Sequence, residues 1–396
     1  MISEKELKFH ILHFTINYNE KLGAYQFLKK LNEGLAPYGV SQSYLIAESD
    51  GVSNSILPNV YWLDKIDMEA FINNLPASTV ILFHDSFSSY VLGHNQFPSE
   101  FYQKTERYPR IRMLHDYSAA VCPMCLDFTK YEKCQSTIQA DCVYKGCISK
   151  EMYTDFIGKT STLPTYTGIF CLSKSTMSRI QKWNVSPENT YLIPPLLDSN
   201  YNGSDRNPTA KNLLYASRIN RQKGFAHLIK ALSKCTDLDW TLTVTGEVED
   251  KSYFLQALRY AYERGIGDRI NVKGFVSQQK IQELMQETDL FCFPSIFHET
   301  YGFSGAEAIL SGIPVVAYAI EGVDEWLEDG VTGFACKTMD IDSMANQLRI
   351  LMTNAALYQE MQRNCIRKVK ENSYSEQIGI YYRLFASIVE KGASQC

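Results

Sequence analysis

No run of about 18 or more apolar residues occurs anywhere in this chain of 396 residues, so a membrane-spanning helix is not expected. Basic charge is scarce as well. The 39 Lys and Arg are outnumbered by 44 Asp and Glu, a net charge of -5, which argues against nucleic acid as a partner. The opening stretch MISEKELKFHILHF carries acidic residues and no apolar segment of signal length, so a cytoplasmic protein is expected. Internal repeats and low-complexity tracts are also absent, which sets aside repeat architectures. What remains is ordinary globular composition, 45% hydrophobic and 21% charged, in a chain too long for one core. Its 11 cysteines, in a reducing compartment, read as free thiols or metal ligands before disulfides.

Short apolar runs alternate with helical patterns. In the first half FHILHFT, SQSYLIAE, STVILFHD, IRMLHD, GIFCLS and TYLIPP are candidate strands, with helical stretches such as AYQFLKKLNEGL and STMSRIQKW between several of them. The second half restarts with NLLYAS, WTLTVTG, INVKG, LFCFPS and PVVAYA, and after about Met339 the chain reads as wholly helical. Strand and helix in series imply right-handed crossovers and parallel sheets. The Pro- and Asn-rich stretch PPLLDSNYNGSDRNPTAKN reads as a linker between two doubly wound α/β units. The expected domains are residues 1–198 and 208–373, with a final helix over about 374–396 returning to the first. Open α/β sheets bind ligands at the carboxyl ends of their strands, so the cleft between two such sheets is the expected substrate site.

Chemistry concentrates in HETYGFSGAEAILSGIPVVA. The loop leaving LFCFPS carries Glu299, and a helix is expected to start near Ser304 and stop at Gly312. Its first N–H groups, around Gly302, Phe303 and Ser304, suit an anion such as a diphosphate. Glu299 and Glu307 are then placed to accept hydrogen bonds from sugar hydroxyls on either side. The alternative for Glu307 is structural, because Ser304-x-x-Glu307 is a capping-box spacing; for Glu299 it is a solvated loop. In YASRINRQKGFAHLIKAL, Arg218 and Lys223 occupy the loop after another strand, positioned to meet a diphosphate or else simply solvated.

The motifs SRINRQKG, VTGE, VKGFV, HETYGFSGAEAILSGIPVVA and EGVDEWLEDGVTGF, in this order and spacing over most of residues 211–336, resemble glycosyltransferase family 4 of the GT-B glycosyltransferases. The resemblance implies a retaining, metal-independent hexosyltransferase with a UDP- or GDP-sugar as substrate and no required cofactor. It places Glu299 against the donor sugar, Glu307 on the ribose, and Arg218 and Lys223 on the diphosphate leaving group. It assigns Tyr301, Gly302 and Phe303 as backbone donors, Phe275 and Val276 as lining of the base, and Gly246 as a point of close backbone approach to the donor. The absence of an Asp-x-Asp pair in a suitable loop accords with this. A saccharide or lipid-linked saccharide acceptor, in surface-glycan biosynthesis, is implied by analogy. The alternative is a non-catalytic sugar-nucleotide or glycan-binding protein on the same fold.

The first half resembles the family more loosely. Where the family has a Gly-Gly loop, NEKLGAYQFLKKL keeps Gly23 preceded by Leu22. His84 and His115 end two candidate strands; the resemblance places His115 near the donor sugar, against the alternative of a satisfied structural histidine. Ser173 reads as a helix cap. YQKTERYPRIR gathers Lys104, Arg107, Arg110 and Arg112 with Tyr102 and Tyr108, either an anionic membrane surface contact or a solvated face. Finally, Cys122, Cys125, Cys134, Cys142 and Cys147 crowd one loop, where four could bind zinc, pair as disulfides, or stay free.

Overall fold

The computed structural model describes residues 7–15, 23–47, 57–84, 99–115, 162–181, 184–197 and 209–393, with short pieces at 126–127, 132–133, 150 and 154. The five clustered cysteines and Leu22 lie outside these residues. Contacts divide the chain into two units, Met1–Leu196 with Tyr374–Cys396, and Leu197–Ser373.

The first unit is built on strands β1 (His10–Thr15), β2 (Ser41–Ile46), β3 (Val60–Trp62), β4 (Thr79–Phe83) and β5 (Arg110–Met113). A two-residue antiparallel pair follows, β6 (Leu126–Asp127) with β7 (Glu132–Lys133), and then β8 (Gly168–Cys171) and β9 (Thr190–Leu192). The main sheet has the order β3-β2-β1-β4-β5-β8-β9, and every pairing in it is parallel. β1, β4, β5 and β8 are buried at every position, as interior strands of a parallel sheet are; β4 and β8 accordingly read as apolar runs, whereas β5 places Arg110 and Arg112 inside the sheet. β3, at the sheet edge, has no buried residue, and the strand readings miss it. The last helix, Tyr374–Ala393, belongs to this unit. Its Tyr381 hydroxyl donates to the Pro194 carbonyl at 2.9 Å, and Phe385 lies 5.5 Å from Phe170 of β8.

That buried sheet corrects the reading of YQKTERYPRIR as one basic face. Arg110 and Arg112 fall in the interior strand β5 and are 9% and 1% exposed. Arg110 is consumed by the carbonyls of Tyr102 and Thr165, at 3.0 and 3.3 Å, and Lys104 pairs with Glu69 and Glu100 at 3.1 and 3.6 Å.

The second unit contains β10 (Asn212–Ala216), β11 (Thr241–Thr245), β12 (Ile270–Gly274), β13 (Leu290–Phe293), β14 (Val315–Tyr318) and β15 (Gly333–Cys336). They form a second parallel sheet in the order β12-β11-β10-β13-β14-β15. The helix Phe225–Leu232 shows how the crossovers pack: Phe225, Leu228, Ile229 and Leu232, spaced by three and four, are all buried. Chain order reverses between β10 and β13, and open α/β sheets of this kind carry their ligand crevice at the carboxyl ends of the two strands at such a switch point. Among the described residues no helix is long and apolar enough to cross a membrane.

Candidate functional site

The crevice of the second sheet is occupied by an ion pair. The loop after β10 turns at Gly224, at φ +69°, where a side chain's first carbon would lie 1.9 Å from the Pro294 carbonyl oxygen. This contact draws the loops after β10 and β13 together. Lys223 from the first loop then meets Glu299 from the second, Nζ to Oε1 at 2.5 Å, with both side chains only about 15% exposed, at 15% and 16%. Ser295 Oγ donates to the same carboxylate oxygen at 2.9 Å. A third partner comes through the backbone, Glu299 N–H donating to the Glu321 carbonyl at 3.1 Å. Burial, and then the neighbouring Asp324 charge, push the Glu321 carboxyl up to about 7, while His298 lies 3.6 Å from it.

Arg218 sits on the same loop as Lys223 but is turned elsewhere. It is half exposed and donates to Glu249 Oε1 at 2.8 Å, while Asn220 donates to Glu249 Oε2 at 2.7 Å and accepts from the Lys223 backbone N–H at 3.0 Å. Glu249 and Asn220 thus connect the loop after β11 to the lysine. Gly246, at φ +141°, lets this happen: a side chain there would fall 1.8 Å from the Ser217 carbonyl oxygen. Its N–H donates to the Gly274 carbonyl at 2.9 Å, tying this loop to Phe275 and Val276. Phe275 is 51% exposed and Val276 half-buried, beside the edge strand β12.

The turn Tyr301–Gly302–Phe303 is held by Trp326, whose indole N–H donates to the Tyr301 carbonyl at 2.6 Å. Gly302 is in the left-handed region at φ +88° and caps the helix, which begins at Phe303 and runs to Ile309. Ser304 therefore lies two residues inside the helix rather than at its cap. The capping-box explanation of Glu307 is removed by this geometry, since that motif requires the serine at the cap itself. The half-buried Glu307 carboxylate instead accepts from Gln278 at 3.5 Å, a long contact.

In the first unit, His84 and His115 are joined to each other, Nδ1 to Nε2 at 2.7 Å, and His84 Nε2 lies 2.9 Å from Nδ1 of His13 on β1. Gly23 opens the helix Gly23–Leu35, whose Phe27 packs edge-on against His115 at 5.3 Å. Ser173 is a cap, its hydroxyl accepting from Thr176 N–H at 3.2 Å. Reading from sequence overlooked His13, Gln42, Asn220, Glu249 and Ser295. Two signals were present: three histidines each close to the end of a candidate strand, and acidic residues directly after VTG.

Residues 200–371 match the family model described as glycosyl transferases group 1. Over 111 residues, 28% of each chain, this protein is 32% identical to a 2-deoxystreptamine glucosyltransferase of Streptomyces kanamyceticus. Over 173 residues, 43% of this chain and 44% of the other, it is 27% identical to the N-acetyl-alpha-D-glucosaminyl L-malate synthase of Bacillus anthracis. The matches span less than half the length of either relative. The crystal structure of Anabaena HepE in complex with UDP and glucose superposes with a TM-score of 0.66 at 16% identity, covering 95% of this chain and 99% of that one. The chain thus has the GT-B fold of two Rossmann-like domains, and its match to the glycosyl transferases group 1 family falls on the stretch that carries Lys223 and Glu299.

Proposed function

We propose that this protein is a glycosyltransferase that moves a hexose from a UDP- or GDP-sugar to a saccharide or lipid-linked saccharide acceptor in surface-glycan biosynthesis, with retention at the anomeric carbon. The observation that carries the reading is the shielded Lys223–Glu299 pair at the point where the second sheet reverses. An ammonium has three N–H donors, more than one carboxylate oxygen can use, so Lys223 can hold Glu299 and a phosphate oxygen together. Glu299, with its charge balanced, can accept from hydroxyls of the sugar. As the bond from sugar to phosphate breaks, negative charge grows on the diphosphate; Lys223, and Arg218 once it exchanges Glu249 for phosphate, stabilise it. The first amides of the helix at Phe303 add donors that no intrahelical carbonyl takes. Glu307 accepts from the ribose, Phe275 and Val276 border the base, and Tyr301, Gly302 and Gly246 shape the backbone around the donor. His115 and Gly23 of the first unit are the residues that the family resemblance assigns to the sugar and to the phosphates.

Support comes from the relatives' printed activities, which are sugar transfers, and from the UDP and glucose held by the Anabaena protein of the same fold. The test is incubation with a panel of nucleotide sugars and saccharide acceptors, following release of the nucleoside diphosphate and the anomeric proton of the product by NMR. An α-linked product from an α-linked donor, at equal rate with and without EDTA, is expected. Binding of nucleotide sugars with no turnover on any acceptor would favour the non-catalytic alternative.

A further inference from the structure

Four side chains on four adjacent strands of the first sheet are joined end to end. Gln42 is on β2, His13 on β1, and His84 and His115 follow the ends of β4 and β5, which are neighbours in the order β2-β1-β4-β5. Gln42 Oε1 is 2.9 Å from His13 Nε2, His13 Nδ1 is 2.9 Å from His84 Nε2, and His84 Nδ1 is 2.7 Å from His115 Nε2. Successive imidazoles are stacked, with ring centres 5.1 Å apart in both cases and planes 19° and 25° from parallel.

The direction of these hydrogen bonds is set at one end. Gln42 Nε2 donates to the Asn32 carbonyl at 3.3 Å, so a reversed amide would set its oxygen against a carbonyl oxygen. With Gln42 Oε1 facing His13, His13 Nε2 must carry the hydrogen. Burial lowers the pKa of His13 to about 3 and that of His84 as well, so both are neutral at ordinary pH and each has one N–H and one lone pair. The lone pair of His13 Nδ1 then takes the hydrogen of His84 Nε2, and that of His84 Nδ1 takes the hydrogen of His115 Nε2. We propose that Gln42, His13 and His84 are positioning residues that fix the Nε2 hydrogen of His115, so that Nδ1 is the acceptor whenever that ring is neutral. An acceptor nitrogen suits a hydroxyl and disfavours a phosphate oxygen, so the matching ligand chemistry is a sugar hydroxyl rather than the diphosphate. The choice of a sugar rests on the proposed transferase; the tautomer does not.

The experiment is a long-range ¹H–¹⁵N correlation spectrum of the full chain labelled with ¹⁵N-histidine, near pH 8, with signals assigned by single histidine substitutions. His13, His84 and His115 are each expected to show a protonated Nε2 and an unprotonated Nδ1. Gln42→Leu, which removes the acceptor that sets the direction, is expected to leave His115 in mixed tautomers. In the transfer assay Gln42→Leu should lower kcat by about tenfold, the worth of one neutral hydrogen bond, with UDP affinity unchanged. A wild-type His115 protonated on Nδ1 overturns the proposal, and that spectrum decides the matter even where Gln42→Leu does not fold. An Nε2–H His115 in a protein that transfers no sugar sinks the transferase reading and leaves the positioning chain standing.

Discussion

Replacing Glu299 by alanine leaves the Lys223 ammonium, 15% exposed, without its 2.5 Å partner. Breaking a fully buried ion pair from one side costs about 3–5 kcal/mol, whereas exposed pairs contribute about 0–1. For side chains shielded to this degree the expected loss is about 2–3 kcal/mol. A unit of this size loses roughly 2–4 °C of melting temperature per kcal/mol, so the Glu299→Ala transition should fall by roughly 5–10 °C. Lys223→Met should cost less, because Ser295 still donates to the carboxylate that remains. UDP provides the second half of the test. It has phosphates to offer Lys223 but no sugar for Glu299 to hold, so the variant loses no contact to this ligand and gains an ammonium with no competing carboxylate. UDP should therefore raise the variant's melting temperature more than the wild type's, by an amount set by the ratio of ligand concentration to Kd. Thermal melts by circular dichroism, with and without saturating UDP, read both effects. A variant that melts within about a degree of wild type would refute the energetic role of the pair, and one that gains less from UDP than wild type does would refute the assignment of Lys223 to the diphosphate.

Gly246→Ala should destabilise the second unit by about 3 kcal/mol, because strained backbone alone costs about 1–3 and the added carbon would lie 1.8 Å from the Ser217 carbonyl oxygen. An unmoved urea midpoint would contradict this. Glu307→Gln should weaken UDP binding by about tenfold in calorimetry at unchanged melting temperature, since a charged acceptor is lost and no cap is; a stability loss at unchanged affinity would mean the residue is structural. Glu321, raised to about 7 in the folded chain from its ordinary 4.5, holds its proton more tightly when folded, so its contribution to stability is lost as pH rises from about 4.5 to about 7. Glu321→Gln should accordingly melt higher than wild type at pH 8 and gain nothing near pH 4.5. An identical difference at both pH values would show that the carboxyl does not titrate in that window.

Strands buried on both faces were legible because nothing polar interrupts them: TVILF and LFCF announce themselves by composition, and the turns that end them by glycine and proline. β3 and β15 were not; both lie at sheet edges where burial is partial, β3 with no buried residue and β15 buried only at its two ends. The helix after Glu299 was visible, but its cap was not. Ser304 has the better capping side chain, yet the structure starts the helix two residues earlier at Gly302, where φ +88° suits glycine and Trp326 packs against the turn. The candidate site divides in the same way. That Glu299 and Lys223 sit in loops at the carboxyl ends of strands follows from alternating β and α segments alone. That they touch does not, for they are 76 residues apart, as His13 and His84 are 71 apart. Local sequence determines which side chains stand at strand ends. Only sheet order decides which of those ends are neighbours, because the pairing of parallel strands is settled by burial of both sheet faces under crossover helices, an energy spread over the whole unit and written in no single motif.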